Sequence, residues 1–294
     1  MGDAFGRRRM FLAGVALFTV ASAACGLAQN EAMLVLARVV QGAGAAVASP
    51  TAFALVATTF APGPVRNQAI AIYAAMTGVG SFSGLIIGGA LTEVSWRWIF
   101  LINVPIGLAI LVLGWRALTE TAGERAPLDV PGAVLATLGS TGVVFGIVEG
   151  PERGWTDAVT LTAMVVGLLL LLAFLTVERR ARNPLLPFEL FRDRDRVATF
   201  VAIFFSGGAL FAMTVIVAVF VQDVLDYSPL RAGISFIPFG GGMALAAVAS
   251  SWLAPRVAPR WIIATGAVLT VGYLIFASTI TVESTYWKNL FLPI

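Results

Sequence analysis

Arg38 stands where water is hard to reach. It lies inside an apolar stretch, Ala32 to Phe60, that is long enough to cross a bilayer. An arginine turned toward lipid at mid-helix costs about 3 kcal/mol on insertion scales, so Arg38 should face a bundle interior or a wet cavity. Gln41, three residues on, shares a helical face with it. Gly42, Gly44, Ala45 and Ala46 then let a second helix approach closely. A fixed positive charge beside an amide in such a place marks a substrate or ion pathway. The competing reading is a structural arginine near the outer end of its helix, snorkelling to the interface or capping carbonyls.

Other chemistry is sparse. The chain has no histidine, one cysteine (Cys25) and one lysine (Lys288). Metal and thiol chemistry have almost nothing to work with; no metal and no cofactor are expected. A phosphate-binding loop is absent, because Lys288 has no glycine-rich approach. Vectorial work would draw on an ion gradient or on another chain. Glu31, Glu93, Glu149, Asp223 and Asp226 fall at the outer ends of apolar runs, where a solvated carboxylate is the ordinary case. Gly80, Gly84 and Gly88 repeat at i+4, flanked by Gly78 and Gly89, a doubled small-residue motif that brings two helix backbones together. Phe204, Phe211 and Met213 belong to an aromatic-rich span that could line a cavity for an apolar cation, although such residues more often face lipid or neighbouring helices.

The elements that must position these residues are membrane helices. Hydrophobic residues make up 59% of the 294 and charged residues 12%, with a mean hydropathy of +0.90. That composition defines an all-α polytopic membrane protein. Nine apolar spans are expected, at 10–28, 32–60, 68–92, 98–117, 129–149, 158–177, 197–222, 232–252 and 261–280. Fourteen arginines collect in alternate loops, against Arg97, Arg153, Arg231 and Lys288 on the other side. The positive-inside rule makes the arginine-rich side cytoplasmic, so residue 1 is expected inside and residue 294 outside. Trp96, Trp98, Trp155 and Trp287 suit the outer interface. The basic balance is accounted for by topology, and no nucleic acid is expected. Arg7 to Arg9, an apolar run and Ala21-Ser22-Ala23 imitate a secretory signal, but the run has the length of a full span. Within the link 178–196, Leu185, Leu186, Phe188, Leu190 and Phe191 among charges allow either an interfacial stretch or a solvated basic linker.

Several of these segments together resemble one family, the fourteen-helix drug:proton antiporters of the major facilitator superfamily (EmrB/QacA type). Gly2-Asp3-Ala4-Phe5-Gly6-Arg7-Arg8-Arg9 is similar to the tail of its first cytoplasmic loop motif, with Ala4 where an arginine is usual. Arg38-Val39-Val40-Gln41-Gly42 resembles the R-x-x-Q-G of its fourth helix, and the glycines up to Gly88-Gly89 resemble its antiporter motif, with Leu85 where many members have proline. Leu128-Asp129 to Trp155, Asn183 to Leu186, and Tyr227 to Gly233 also read like family segments. Ala254 to Trp261 repeats the basic turn of Gly2 to Arg9, Gly6 falling on Ala258 and Arg8 on Arg260, as in carriers built from related halves.

The resemblance implies a carrier in the inner membrane that exports small amphipathic compounds in exchange for protons by alternating access. Residues 1–120 would be part of an N-terminal bundle, 121–196 two linker spans with a basic link, and 197–294 part of a C-terminal bundle. It implies proton coupling by Arg38 and Gln41. A cytoplasmic gate would be held by Gly2, Asp3, Gly6, Arg7, Arg8 and Arg9, and a sealing helix face would be built on Gly80, Gly84, Gly88 and Gly89. The implied partners are a small-molecule substrate, protons and the bilayer, with room for a periplasmic adaptor around a monomer. Matching the motifs leaves two family helices before the chain and about three after it. The rival reading is a non-transporting membrane subunit or a truncated remnant. A membrane-embedded enzyme is disfavoured by the lack of histidine and of an inward acidic cluster.

Overall fold

A bilayer offers no water to backbone amides, so a chain this apolar must satisfy them within helices. The computed structural model describes residues 5–120, 129–181, 184–253 and 256–279. Among these, nine stretches are long and apolar enough to cross a membrane, from Arg7–Gly26 to Arg260–Ala277, in the places the hydropathy pattern predicts. The helices are α1 (Arg7–Gly26), α2 (Glu31–Thr59), α3 (Pro64–Val94), α4 (Trp98–Leu101), α5 (Asn103–Ala117), α6 (Val130–Arg153), α7 (Ala158–Glu178), α8 (Arg194–Val219), α9 (Pro229–Ser235), α10 (Ile237–Leu253) and α11 (Pro259–Ala277). A 3-10 turn (Phe188–Phe191) precedes α8 and a π turn (Phe220–Val224) follows it. Gly2, Asp3, Leu128, Asn183, Ala254, Pro255 and Trp287 to Ile294 lie outside the described residues.

Helix starts follow the capping residues in the sequence. Asn30 accepts the Met33 amide at 2.8 Å, Asp129 that of Gly132 at 3.0 Å, Asp157 that of Val159 at 2.9 Å and Ser228 that of Arg231 at 3.3 Å. Proline at the first turn of α3, α6, α9 and α11 loses no helical bond. Gly63, at φ 147°, turns the chain into α3. The span after Trp96 is broken at Ile102, which divides α4 from α5.

The chain divides into two compact units, residues 122–204 and residues 7–121 with 205–294, the division falling inside α8. The first unit is an antiparallel hairpin of α6 and α7. Gly132, Gly139, Gly146 and Gly150 are all buried on α6, and Gly167 is buried on α7. A methyl on Gly139 would lie 3.0 Å from the Gly167 carbonyl oxygen. Backbones this close gain their attraction from van der Waals contact, since apolar side chains gain nothing over lipid.

The second unit has α1 at its centre, where Gly14, Val15, Thr19, Ala21, Ser22, Cys25 and Gly26 are buried. Gly14 and Gly44 set the crossing of α1 and α2: a methyl on either would lie 3.0 Å from the other's carbonyl oxygen. At the C-terminal end of α1, Arg97 donates to the Ala28 carbonyl at 3.0 Å. A second buried cluster, Val217, Val221, Ala232 and Phe236, joins the end of α8 to α9 and takes in Leu85 of α3.

Candidate functional site

Arg38 and Gln41 are joined, and the join extends to a residue the sequence did not single out. Arg38 Nη1 donates to Gln41 Oε1 at 2.6 Å, and Gln41 Nε2 donates to Ser22 Oγ at 2.6 Å. A guanidinium has only donors, so it fixes the Gln41 carbonyl toward Arg38 and leaves the amide nitrogen for Ser22. Gln41 is 3% exposed and Ser22 fully buried, so the bond between them is the polar tie across an otherwise apolar α1–α2 seam. Ala37, Gln41, Gly44, Thr51 and Leu55 make up the buried stripe of α2. Arg38 lies one position off that stripe and is exposed. Its guanidinium carbon is 5.6 Å from the centre of the Phe100 ring of α4, a cation–π contact. The charge is thus held by an amide and by a ring. Such a group can take up a carboxylate or another anion.

In the sequence Ser22 stands out only as the middle of Ala21-Ser22-Ala23, which imitates a cleavage site, and nothing in the spacing ties it to Gln41 on another helix. Phe100 was visible only as one of many aromatics.

The arginines at the start of α1 hold the end of α5. Arg8 Nη2 donates to the Trp115 carbonyl at 2.7 Å, one of the last four carbonyls of α5, and its guanidinium stands 5.0 Å from the centre of the Trp115 ring. Arg9 forms an ion pair with Glu120 at 3.3 Å, on an arginine side chain 78% exposed, which contributes little by itself. Gly6 is buried with φ 92°, a conformation that favours glycine. Arg7 also lies in the first turn of α1.

On α3 the close contact falls one position round from the expected face. Methyl groups on Gly80, Gly84 or Gly88 would meet nothing within 4 Å, whereas one on Gly89 would collide with the Pro229 carbonyl oxygen. The seam is reciprocal, because a methyl on Gly233 would lie 2.7 Å from the Leu85 carbonyl oxygen. Leu85 and Gly89 on α3 therefore oppose Pro229 and Gly233 on α9, both pairs at i, i+4. Glu93, one turn further on, accepts the Leu230 amide at 3.3 Å.

Of the aromatic-span residues, Met213 lines a cavity of about 750 Å³ bordered by α8, α10 and α11. Phe204 and Phe211, 75% and 74% exposed, are outside its lining. Thr214 and Thr270 on the cavity wall spend their hydroxyl protons on carbonyls of their own helices.

A bundle of apolar helices, with a buried polar tie between α1 and α2 and an arginine anchored beside it, suits a polytopic membrane carrier. The family model of the Major Facilitator Superfamily matches residues 1–294, and the chain belongs to that superfamily of transporters, which are not enzymes. It is 51% identical over its whole length to the uncharacterized MFS-type transporter EfpA of Mycobacterium tuberculosis, of which it covers 56%. It is 38% identical to the cephamycin export protein CmcT of Amycolatopsis lactamdurans, with all of the chain and 62% of that protein aligned. It is also 38% identical to the tetracenomycin C resistance and export protein of Streptomyces glaucescens, with 97% and 53% aligned. The chain thus spans little more than half the length of the curated relatives it matches.

Proposed function

We propose that this chain belongs to a proton-driven exporter of small amphipathic compounds, acting by alternating access in the inner membrane. The observation that carries the reading is the chain of bonds from Arg38 through Gln41 to Ser22. It couples an anchored positive charge to the packing of two helices. A carboxylate elsewhere in the carrier that draws near Arg38 when ionised, and leaves it when protonated, would alter that tie. Proton binding and helix movement then become linked, as any coupled carrier requires. Export of antibiotics by relatives such as CmcT supports the substrate class.

Arg8 and Arg9, with Asp3 and Arg7 from the same motif, would hold the cytoplasmic gate by fixing α1 against the end of α5. The seam of Leu85 and Gly89 with Pro229 and Gly233 would seal the opposite side. This transfers the sealing role from the Gly80–Gly84–Gly88 face to its neighbour, since only the neighbour meets another helix. Met213 would contribute to an apolar substrate surface. The carrier would work as a monomer, with a periplasmic adaptor as an optional partner.

The rival reading, a non-transporting subunit or remnant, is not favoured by the family or by the export roles of the relatives. The test is Arg38→Ala in the whole protein, assayed as proton-driven uptake into inverted vesicles. Uptake should be lost with expression intact. Arg38→Lys should restore little, because an ammonium lacks the guanidinium's fork of donors. Wild-type uptake by the alanine variant would overturn the coupling role.

A further inference from the structure

Glu178, the last residue of α7, is 2% exposed, the largest fully buried side chain among the described residues. A carboxylate so placed must be compensated. Its two oxygens accept successive backbone amides of the link, Oε1 from Leu185 at 3.2 Å and Oε2 from Leu186 at 3.1 Å. The opposite wall is the first turn of α6, whose N-terminal dipole favours a negative charge. Gly132 makes that approach possible, for a methyl there would lie 2.7 Å from Glu178 Oε1 and would also collide with Asp129. The link after α7 is therefore pinned to the hairpin at Leu185 and Leu186.

What the pin presents is amphipathic. Pro184 and Pro187 bracket the two pinned leucines. Leu185 still projects, 53% exposed, and Phe191 is 45% exposed with its ring 6.0 Å from that of Phe200, itself 44% exposed. The Arg179 guanidinium stands 5.6 Å from the centre of the Phe188 ring. Arg180, Arg192, Arg194 and Arg196 are all exposed, as are Glu189, Asp193 and Asp195, with Arg196 and Asp193 paired at 3.4 Å. Exposed apolar side chains among arginines, on a segment joining two membrane spans, match an interface of acyl chains below and anionic headgroups above.

We propose that residues 184–196 of the link after α7 form a preformed anionic-lipid surface: Glu178 clamps it, Leu185 and Phe191 enter the acyl boundary, and Arg192 and Arg194 contact lipid phosphates. Of the two sequence readings of the link, the proposal takes the interfacial one. It does not depend on what the carrier exports.

The experiment labels Leu185→Cys with an environment-sensitive dye; the chain's other thiol, Cys25, is buried. The chain is reconstituted in phosphatidylcholine bilayers with and without phosphatidylglycerol. The dye should be quenched by brominated lipid and protected from aqueous iodide. Adding Glu178→Gln turns one acceptor oxygen into a donor facing an amide, and should expose the dye to iodide. Spin-labelled phosphatidylglycerol should be selected over spin-labelled phosphatidylcholine. That preference should fall by about fivefold for each arginine removed in Arg192→Gln and Arg194→Gln. The otherwise unaltered labelled chain keeps the test decisive if the clamp variant fails to fold. A dye open to iodide in both bilayers would show a solvated linker and overturn the proposal. A lipid preference indifferent to both arginines would overturn the assignment of the phosphate contacts.

Discussion

Alanine substitution along α3 and α9 separates the glycines that touch a helix from those that do not. A methyl on Gly233 would lie 2.7 Å from the Leu85 carbonyl oxygen and 3.2 Å from the Ile86 α-carbon. Both partners are backbone, so no side chain can turn aside, and the helices must separate by several tenths of an ångström. Overpacking of that kind costs about 1–3 kcal/mol. Against it stands the gain of about 1 kcal/mol from replacing a helical glycine by alanine. The net for Gly233→Ala is a loss of about 0–2 kcal/mol, with Gly89→Ala at the upper end because its methyl meets the Pro229 carbonyl oxygen more closely. Gly84→Ala meets nothing within 4 Å and retains the propensity gain alone. Thermal inactivation of the detergent-solubilised protein, followed by size-exclusion fluorescence, should rank Gly89→Ala least stable. Gly233→Ala should come next, and Gly84→Ala should equal or exceed the parent. If Gly84→Ala proves as damaging as Gly89→Ala, the assignment of the seam to the Leu85–Gly89 face is wrong. The Gly80–Gly84–Gly88 face would then be the packed one.

Two further substitutions test ties within the second unit. Gln41→Leu removes the acceptor of Arg38 and leaves the buried Ser22 hydroxyl without its donor, and should cost about 1–3 kcal/mol; adding Ser22→Ala should recover part of that loss in a double-mutant cycle, and strict additivity would refute the coupling. Arg8→Ala frees the Trp115 carbonyl and ring together and should lower the thermal stability of the detergent-solubilised protein by about 1–3 kcal/mol, whereas Arg9→Ala, which removes only an exposed ion pair, should change it by less than about 1 kcal/mol.

Much of the bundle was legible because a bilayer imposes a one-dimensional rule. A span must be apolar over a fixed length, so nine helices could be placed from hydropathy, and the described helices fall on them. Capping residues at Asn30, Asp129, Asp157 and Ser228 marked helix starts for equally local reasons. The neighbours of each helix were not legible in this way. Glycine spacing announces that a face can be approached closely but does not say which face is approached. Gly80, Gly84 and Gly88 gave the denser pattern, yet the contact uses Gly89 and Gly233, one glycine from each of two helices far apart in the chain. The hairpin of α6 and α7 makes the complementary point. Gly132, Gly139 and Gly146 recur every seven residues, a spacing that keeps one face turned to a single partner, and there the packing follows the sequence period.

Polar residues divide along the same line. Arg38 stood out because lipid makes a charge conspicuous, and Gln41 because helical geometry placed it within reach. Ser22 and Glu178 acquire their roles only in three dimensions. Ser22 is tied to Gln41 nineteen residues away on another helix. Glu178 could pass for one more charge in a basic link, and only the folded link shows it buried. Its burial sets it apart from Glu189, Asp193 and Asp195, the exposed carboxylates of the same segment. A buried carboxylate at the end of an apolar helix is tolerated when fixed donors meet it, and here two link amides do so. The arginines that follow are then free to face outward, where the bilayer surface can use them.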